Sequence, residues 1–434
     1  MDLEWDRLLQ WLSEKGMEVC KDKLPVERRK SIGGCGLFAL RPFSPSEVLF
    51  RVPATAMMNI RTLSPLYPSK KLDAIQMVSL HLAVHRENPS MDPHFGPYIS
   101  VLPRDFGFHP LTWIVDENTQ VLSFVPPSAM RALDKMLHRF RSDFDKVFQQ
   151  THRLLVGMAE WCDLHVCIAL LHFNTRCIYQ RLKARQSDPD NFTMCPVFDF
   201  ANHSAHLPHM SPRRSNADKL DVPPRQRFGE DMIFISPADK HLDTDEEIFL
   251  KYGAHSNQTL FVEYGFVLPI SSEALICGEV DGEVDVFDFI DSLLTNKGNH
   301  LQELLDRENY WGDWTLHLSR GSAYPSFRLL AALRLYHLAW DDISEESLKP
   351  WKDTLLGHRD TVSKENEENV RRTIVEICRQ VAQRGEMRIA SLKGARMSAS
   401  GWEADAFTSI ENLWLEEILV SRGVSEAILS GISF

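Results

Sequence analysis

The chain has 434 residues, 44% of them hydrophobic, and its 48 Lys plus Arg against 60 Asp plus Glu leave a formal charge of -12. A single core does not grow to that size, so two or three domains are expected. So acidic a balance argues against a polyanion such as nucleic acid as direct ligand and favours a basic protein or peptide.

The eight cysteines contain no C-x-x-C pair, which argues against a zinc ribbon and a disulfide scaffold and leaves reduced thiols as the expectation. The run Met1 to Asp6 lacks the basic and apolar regions of a secretory signal, and no apolar stretch approaches the length needed to span a bilayer. A monomer in the cytoplasm, the nucleus or both is expected, with no membrane association.

In chain order, residues 1–20 hold a helix with Asp2 as cap, Trp5, Leu8, Leu9 and Leu12 on one stripe, and Gly16 as stop. Residues 21–60 carry short strand-like runs broken by Gly and Pro, among them Gly36 to Leu40 and Val48 to Pro53. Residues 61–190 return to helical spacing, as at Ile75, Val78, Leu80, Leu82 and Ala83, with a loop marked by Pro97 and Pro103. Strand-like composition resumes over residues 191–270, at Met232 to Ser236 and Glu247 to Tyr252. Between them, the basic, Pro-rich run with Arg213, Arg214, Lys219, Arg225 and Arg227 is expected to be a disordered surface insertion. Residues 280–434 show helical stripes, such as Phe327 to Leu335 and the set Val370, Ile374, Ile377, Cys378 and Val381. The acidic clusters Asp341-Asp342 and Glu365 to Glu368 are expected to be solvated helix faces. The fold class is therefore α+β: a β fold with a helical insertion, followed by an all-helical C-terminal domain.

Three patches carry chemistry: Gly34-Cys35-Gly36-Leu37-Phe38, Phe198-Asp199-Phe200-Ala201-Asn202-His203-Ser204, and Tyr252-Gly253, which runs on to Tyr264-Gly265-Phe266. Each alone has an ordinary structural reading. The glycine pair suits a tight turn, Asn202-His203 a satisfied polar pair in a core, and Tyr252 a core tyrosine. No third glycine follows at dinucleotide-binding spacing. His203, His206 and His209 recur every three residues, but Pro208 breaks any common helical face, so no metal site is expected.

In this order and spacing, the three patches resemble the signature of SET-domain protein methyltransferases. Phe95 to Pro103, followed by Pro110-Leu111-Thr112-Trp113, is similar to a stretch of one branch, the Rubisco large-subunit and ribosomal-protein lysine methyltransferases. The motif resemblance covers about residues 5 to 270 and implies a SET-type β fold with a helical substrate-binding domain behind it. It also implies a protein-lysine N-methyltransferase with S-adenosylmethionine as cofactor and a non-histone protein, such as a ribosomal protein, as substrate. Tyr252 would be the catalytic phenol and also touch the cofactor. Gly34, Cys35, Gly36, Arg176, Asn202, His203, Tyr264 and Phe266 would bind the cofactor, Arg176 through its carboxylate. Asp199 and Thr175 would border the substrate lysine. The zinc-binding cysteine cluster of many histone methyltransferases is missing after Phe266, so a metal-completed pocket is not implied. A histidine methyltransferase of the same fold and a non-catalytic binding scaffold are the alternatives.

Overall fold

The computed structural model describes residues 2–19, 24–31, 34–67, 71–155, 163–205, 209–214, 226–270, 280–319, 322–338, 344–397 and 399–432. The chain divides into two compact units, residues 1–106 with 136–255 and residues 107–135 with 256–434.

The first unit opens with the helix Leu3–Glu14, where the Asp2 carboxylate accepts a hydrogen bond from the Trp5 N–H at 3.2 Å. The helix buries Trp5, Leu8, Leu9, Trp11 and Leu12. Strands β1 (Val26–Ser31), β2 (Gly34–Ala39), β3 (Val48–Val52) and β4 (Met58–Asn59) come next. After the helices Ala74–His85 and Asp163–Arg176 follow β5 (Cys177–Tyr179), β6 (Phe192–Met194), β7 (Ser211–Arg214), β8 (Met232–Ile235) and β9 (Glu247–Ile248). They form antiparallel sheets in the orders β1-β2-β9, β3-β8-β7 and β4-β6-β5. Their inner faces share one core, in which Phe234 of β8 stacks on Phe50 of β3 at 4.8 Å and on Phe198 at 4.7 Å. Phe198 thereby ties the second motif to the sheet.

The basic run departs from expectation. Its Arg213 and Arg214 lie in β7, in register with Ile233 and Met232, rather than in a disordered insertion. Because β7 is an edge strand, Pro212 fits there despite having no N–H to donate. Lys219 and Arg225 fall outside the described residues, and Arg227 lies over the Phe228 ring at 5.1 Å.

The second unit is helical in its C-terminal part, with Phe327–Tyr336, Lys364–Arg396 and Trp402–Leu429 as its main elements. Val370, Ile374, Ile377, Cys378 and Val381 are all buried in its core. It is not helical throughout, because β10 (Gly282–Asp285), β11 (Thr315–Ser319) and β12 (Ser322–Pro325) make a small antiparallel sheet. These strands are four or five residues long, too short for their alternation to stand out beside the helical stripes. A side chain at Gly282 would meet Val420 at 2.7 Å, so the sheet lies directly on the last helix. The Glu365 to Glu368 cluster is likewise not wholly solvated. Glu367 takes two hydrogen bonds from the buried Arg334 guanidinium, at 2.7 and 3.2 Å.

Candidate active site

In the first unit, the glycine patch is a strand and not a turn. Leu37 and Phe38 of β2 pair with Ile248 and Glu247 of β9, which sets Glu247 beside Gly36. A Cβ on Gly36 would sit 2.2 Å from Glu247 Oε1 and 3.1 Å from Asn202 Nδ2. The space is taken by a hydrogen bond: Asn202 Nδ2 donates to Glu247 Oε1 at 2.7 Å, and the Ser31 hydroxyl donates to Oε2 at 2.8 Å. Cys35 is exposed on the same strand.

Asn202 and His203 run parallel to the segment before Tyr252, with Leu250 N–H donating to the Asn202 carbonyl at 2.8 Å and Ser204 N–H to the Leu250 carbonyl at 3.1 Å. This pairing fixes the tyrosine. The Tyr252 N–H donates to His203 Nδ1 at 3.2 Å, the Tyr252 hydroxyl donates to the Ala201 carbonyl at 3.0 Å, and the two rings lie 5.2 Å apart. Burial pushes the His203 imidazole below its ordinary pKa, which favours the neutral ring that accepts from Tyr252.

Asp199 is held deeper. Val197 adopts φ 71°, a conformation costly for a β-branched residue, and begins the single turn Phe198–Phe200. The Asp199 side chain has no exposed surface. Its Oδ2 accepts from the Tyr98 hydroxyl at 3.0 Å and from Arg176 Nη1 at 3.4 Å, and Nη1 also donates to the Asp199 carbonyl at 2.7 Å. Burial pushes this carboxyl above its usual range, against the pull of Arg176 and Tyr98. Burial, then the Asp199 charge, drive the Tyr98 phenol well above its own. Two buried polar atoms stay unpartnered here, Asp199 Oδ1 and Arg176 Nε. Arg176 ends the helix Asp163–Arg176, and the neighbouring Thr175 hydroxyl donates back to the Leu171 carbonyl at 2.8 Å.

In the first unit, Asn202, His203 and Tyr252 thus share one hydrogen-bonded arrangement, which Glu247 extends to Ser31 alongside Gly36, while Gly34 and Cys35 lie on the same strand β2 and a second cluster surrounds Asp199 and Arg176. Tyr264 and Phe266 belong to the second unit, at the end of the helix Asn257–Tyr264, where their rings lie 6.2 Å apart. Sequence reasoning assigned no role to Glu247, Ser31 or Tyr98. Glu247 and Ser31 read as ordinary strand residues, and only the ladder register reveals their partners. Tyr98 stood inside a quoted motif, and its buried neighbour lies 101 positions away.

Among the described residues one trio has metal-ligand potential, His81, His85 and Asp92, with ligand atoms within 4.8 Å of one another. Both His81 nitrogens are engaged, Nε2 with Asp92 Oδ2 and Nδ1 with the Tyr67 hydroxyl, each at 2.9 Å. Asp92 also accepts the His94 and Phe95 N–H groups, and its carboxyl is held at about 2. His81 and Asp92 are thus satisfied as a structural network.

The likeness to solved structures decides the fold. A crystal structure titled as the SET domain of LSMT bound to lysine and AdoHcy matches with a TM-score of 0.63 at 17% identity, covering 99% of this chain and 92% of that one. The chain has the SET fold. No family model matches it. Among its relatives, ribosomal lysine N-methyltransferase set11 of Schizosaccharomyces pombe is 27% identical over 328 residues, which is 75% of this chain and 73% of that protein. SET domain-containing protein 4 of Mus musculus is 24% identical over 99% of this chain and 92% of its own length. The ribosomal lysine methyltransferase and the LSMT structure carry names of the branch that the sequence motifs resemble, and the mouse protein carries the name of the SET domain alone.

Proposed function

We propose that this chain is an S-adenosylmethionine-dependent protein-lysine N-methyltransferase acting on a basic non-histone protein, with a ribosomal protein as the first substrate to test. The observation that carries the reading is the hydrogen-bonded arrangement of Asn202, His203 and Tyr252 in one unit, with Gly36 lying against the Asn202–Glu247 bond, although the sequence separates these residues by up to 216 positions. The relatives named as lysine methyltransferases support it.

The residues present suit the cofactor. Arg176 has a buried Nε with no partner, the kind of donor a carboxylate satisfies, and a guanidinium fits a carboxylate in bidentate fashion. Gly34, Cys35 and Gly36 would offer backbone groups beside it, where a Cβ on Gly36 would displace the Glu247 carboxylate. Asn202 and His203 would hold its amino-acid and adenine portions. When bound, S-adenosylmethionine supplies the methyl group and a sulfonium charge. A lysine amine at its ordinary pKa of about 10.4 is almost wholly charged at neutral pH, so the pocket has to shield it and favour the neutral form. Tyr252, fixed through its N–H and hydroxyl, would orient that amine, with Asp199 and Thr175 beside its path.

Among the described residues no helix is long and apolar enough to cross a membrane. The reading places the enzyme with its substrate in the cytoplasm or nucleus, as a monomer. The test is labelled methyl transfer from S-adenosylmethionine to ribosomal proteins, with mass spectrometry of the product. Wild type is expected to label lysine, and Tyr252→Phe to fold and bind cofactor while losing transfer by about a hundredfold. Methyl on histidine, or partner binding without transfer, would overturn the lysine assignment.

A further inference from the structure

The cluster around Asp199 contains a group to which the quoted motifs assign no role and which the proposed chemistry does not use. Tyr98 is completely buried on the short helix Gly96–Val101, 101 positions before the residue it holds. Its hydroxyl and Arg176 Nη1 meet on the same oxygen, Asp199 Oδ2, at 3.0 and 3.4 Å. Nη1 is spent on Asp199, since it also donates to that residue's carbonyl at 2.7 Å. The guanidinium carbon lies 5.8 Å from the Phe200 ring, a further restraint on its plane. With that end fixed, the Nε edge is the one left to receive a ligand, and Nε is buried without a partner.

We propose that Tyr98 is a positioning residue for the amino-acid end of the cofactor: it locks Asp199, and Asp199 locks Arg176 with its Nε edge presented to the cofactor carboxylate. The inference rests on the cofactor assignment above. Without the phenol, Asp199 Oδ2 loses its neutral donor in a fully shielded position, the carboxylate rotates to regain a partner, and Arg176 follows it. The penalty falls on the ligand's carboxylate and leaves its adenosine part untouched.

That selectivity sets the experiment. Calorimetric titration of the full chain with S-adenosylmethionine and with 5′-methylthioadenosine, which has the nucleoside and sulfur but no amino-acid end, compares wild type with Tyr98→Phe. The variant is expected to lose about tenfold in affinity for S-adenosylmethionine and to keep its affinity for 5′-methylthioadenosine. A purely structural role would weaken both ligands equally, and that result, or no loss for either, overturns the proposal. Should Tyr98→Phe fail to fold, Asp199→Asn carries the same comparison, because it keeps the side-chain shape while removing the charge that holds Arg176. Arg176→Lys completes a cycle: combined with Tyr98→Phe it is expected to cost no more than alone, and additive losses overturn the link. A wild type that binds neither ligand would sink the cofactor assignment itself, an outcome distinct from failure of the Tyr98 role.

Discussion

Gly36 has no side chain because the Asn202–Glu247 hydrogen bond stands where its Cβ would be. The nearest obstacle, Glu247 Oε1 at 2.2 Å, is the end of a flexible side chain and can swing away. The Gly36→Ala substitution is therefore expected to leave the fold standing but to dislodge a carboxylate that binds Asn202 at 2.7 Å and Ser31 at 2.8 Å. Two hydrogen bonds to a charged acceptor are at stake, each worth about 1.5 to 3 kcal/mol at most and less where water can replace them. Since Glu247 is only half-buried, water takes over part of that role, and the expected loss of stability is about 1 kcal/mol. Asn202 would lose its fixed position, so affinity for S-adenosylmethionine is expected to fall further than stability does. Urea denaturation and calorimetric titration of the same variant measure the two effects. A variant that binds cofactor as tightly as wild type would show that Asn202 needs no anchoring by Glu247.

At the scale of an element, the helix Trp402–Leu429 carries two adjacent buried carboxylates, Glu416 and Glu417. Glu416 accepts from Asn257 Nδ2 at 2.6 Å and from the Glu283 N–H at 3.1 Å, while Glu417 accepts from the Ser128 hydroxyl at 3.2 Å and from Arg384 at 3.4 Å. Burial outweighs these partners and pushes both carboxyls from 4.5 up to about 7. The native unit then holds protons that the unfolded chain has released, so their contribution to stability is complete below 4.5 and is lost as pH rises through about 7. His109 acts in the opposite sense and lower down: burial depresses it from 6.5 to about 3, so its contribution grows as pH rises and is complete above 6.5. The carboxylates therefore control the alkaline side of the profile. Stability of the second unit is expected to decline as pH rises from about 4.5 to about 7, most steeply near the upper end where His109 no longer offsets it, and Glu417→Gln, which cannot ionise, to flatten that decline. Denaturation midpoints across that range test this, and a variant as pH-sensitive as wild type would contradict it.

Across the whole molecule, what the sequence discloses follows from how local the cause is. The Asp2 cap, the stripe Trp5, Leu8, Leu9 and Leu12, and the set Val370 to Val381 are legible because periodicity and capping act within a few turns of one helix. The motifs around Asn202 and Tyr252 are legible because a recurring order of residues marks them. The Gly36–Glu247–Ser31 contacts and the Tyr98–Asp199–Arg176 cluster are not, since each depends on a ladder register or a buried meeting between distant segments. Nor does any propensity place Val197 at φ 71°. Charge is the one global property the sequence states outright, and it bears on encounter with the substrate. A chain with a formal charge of -12 attracts a basic protein through a field that salt shortens, from a Debye length of about 30 Å at 0.01 M to about 8 Å at physiological ionic strength. Steering of this kind raises association rates by about tenfold or more, and it acts before the lysine reaches the pocket. On a basic protein substrate, kcat/KM is thus expected to fall by about tenfold over that salt range, while kcat at saturation holds, because chemistry in a shielded pocket is little screened. Initial-rate measurements at a series of salt concentrations separate the two, and a kcat/KM that stays level would show that surface charge has no part in choosing the partner.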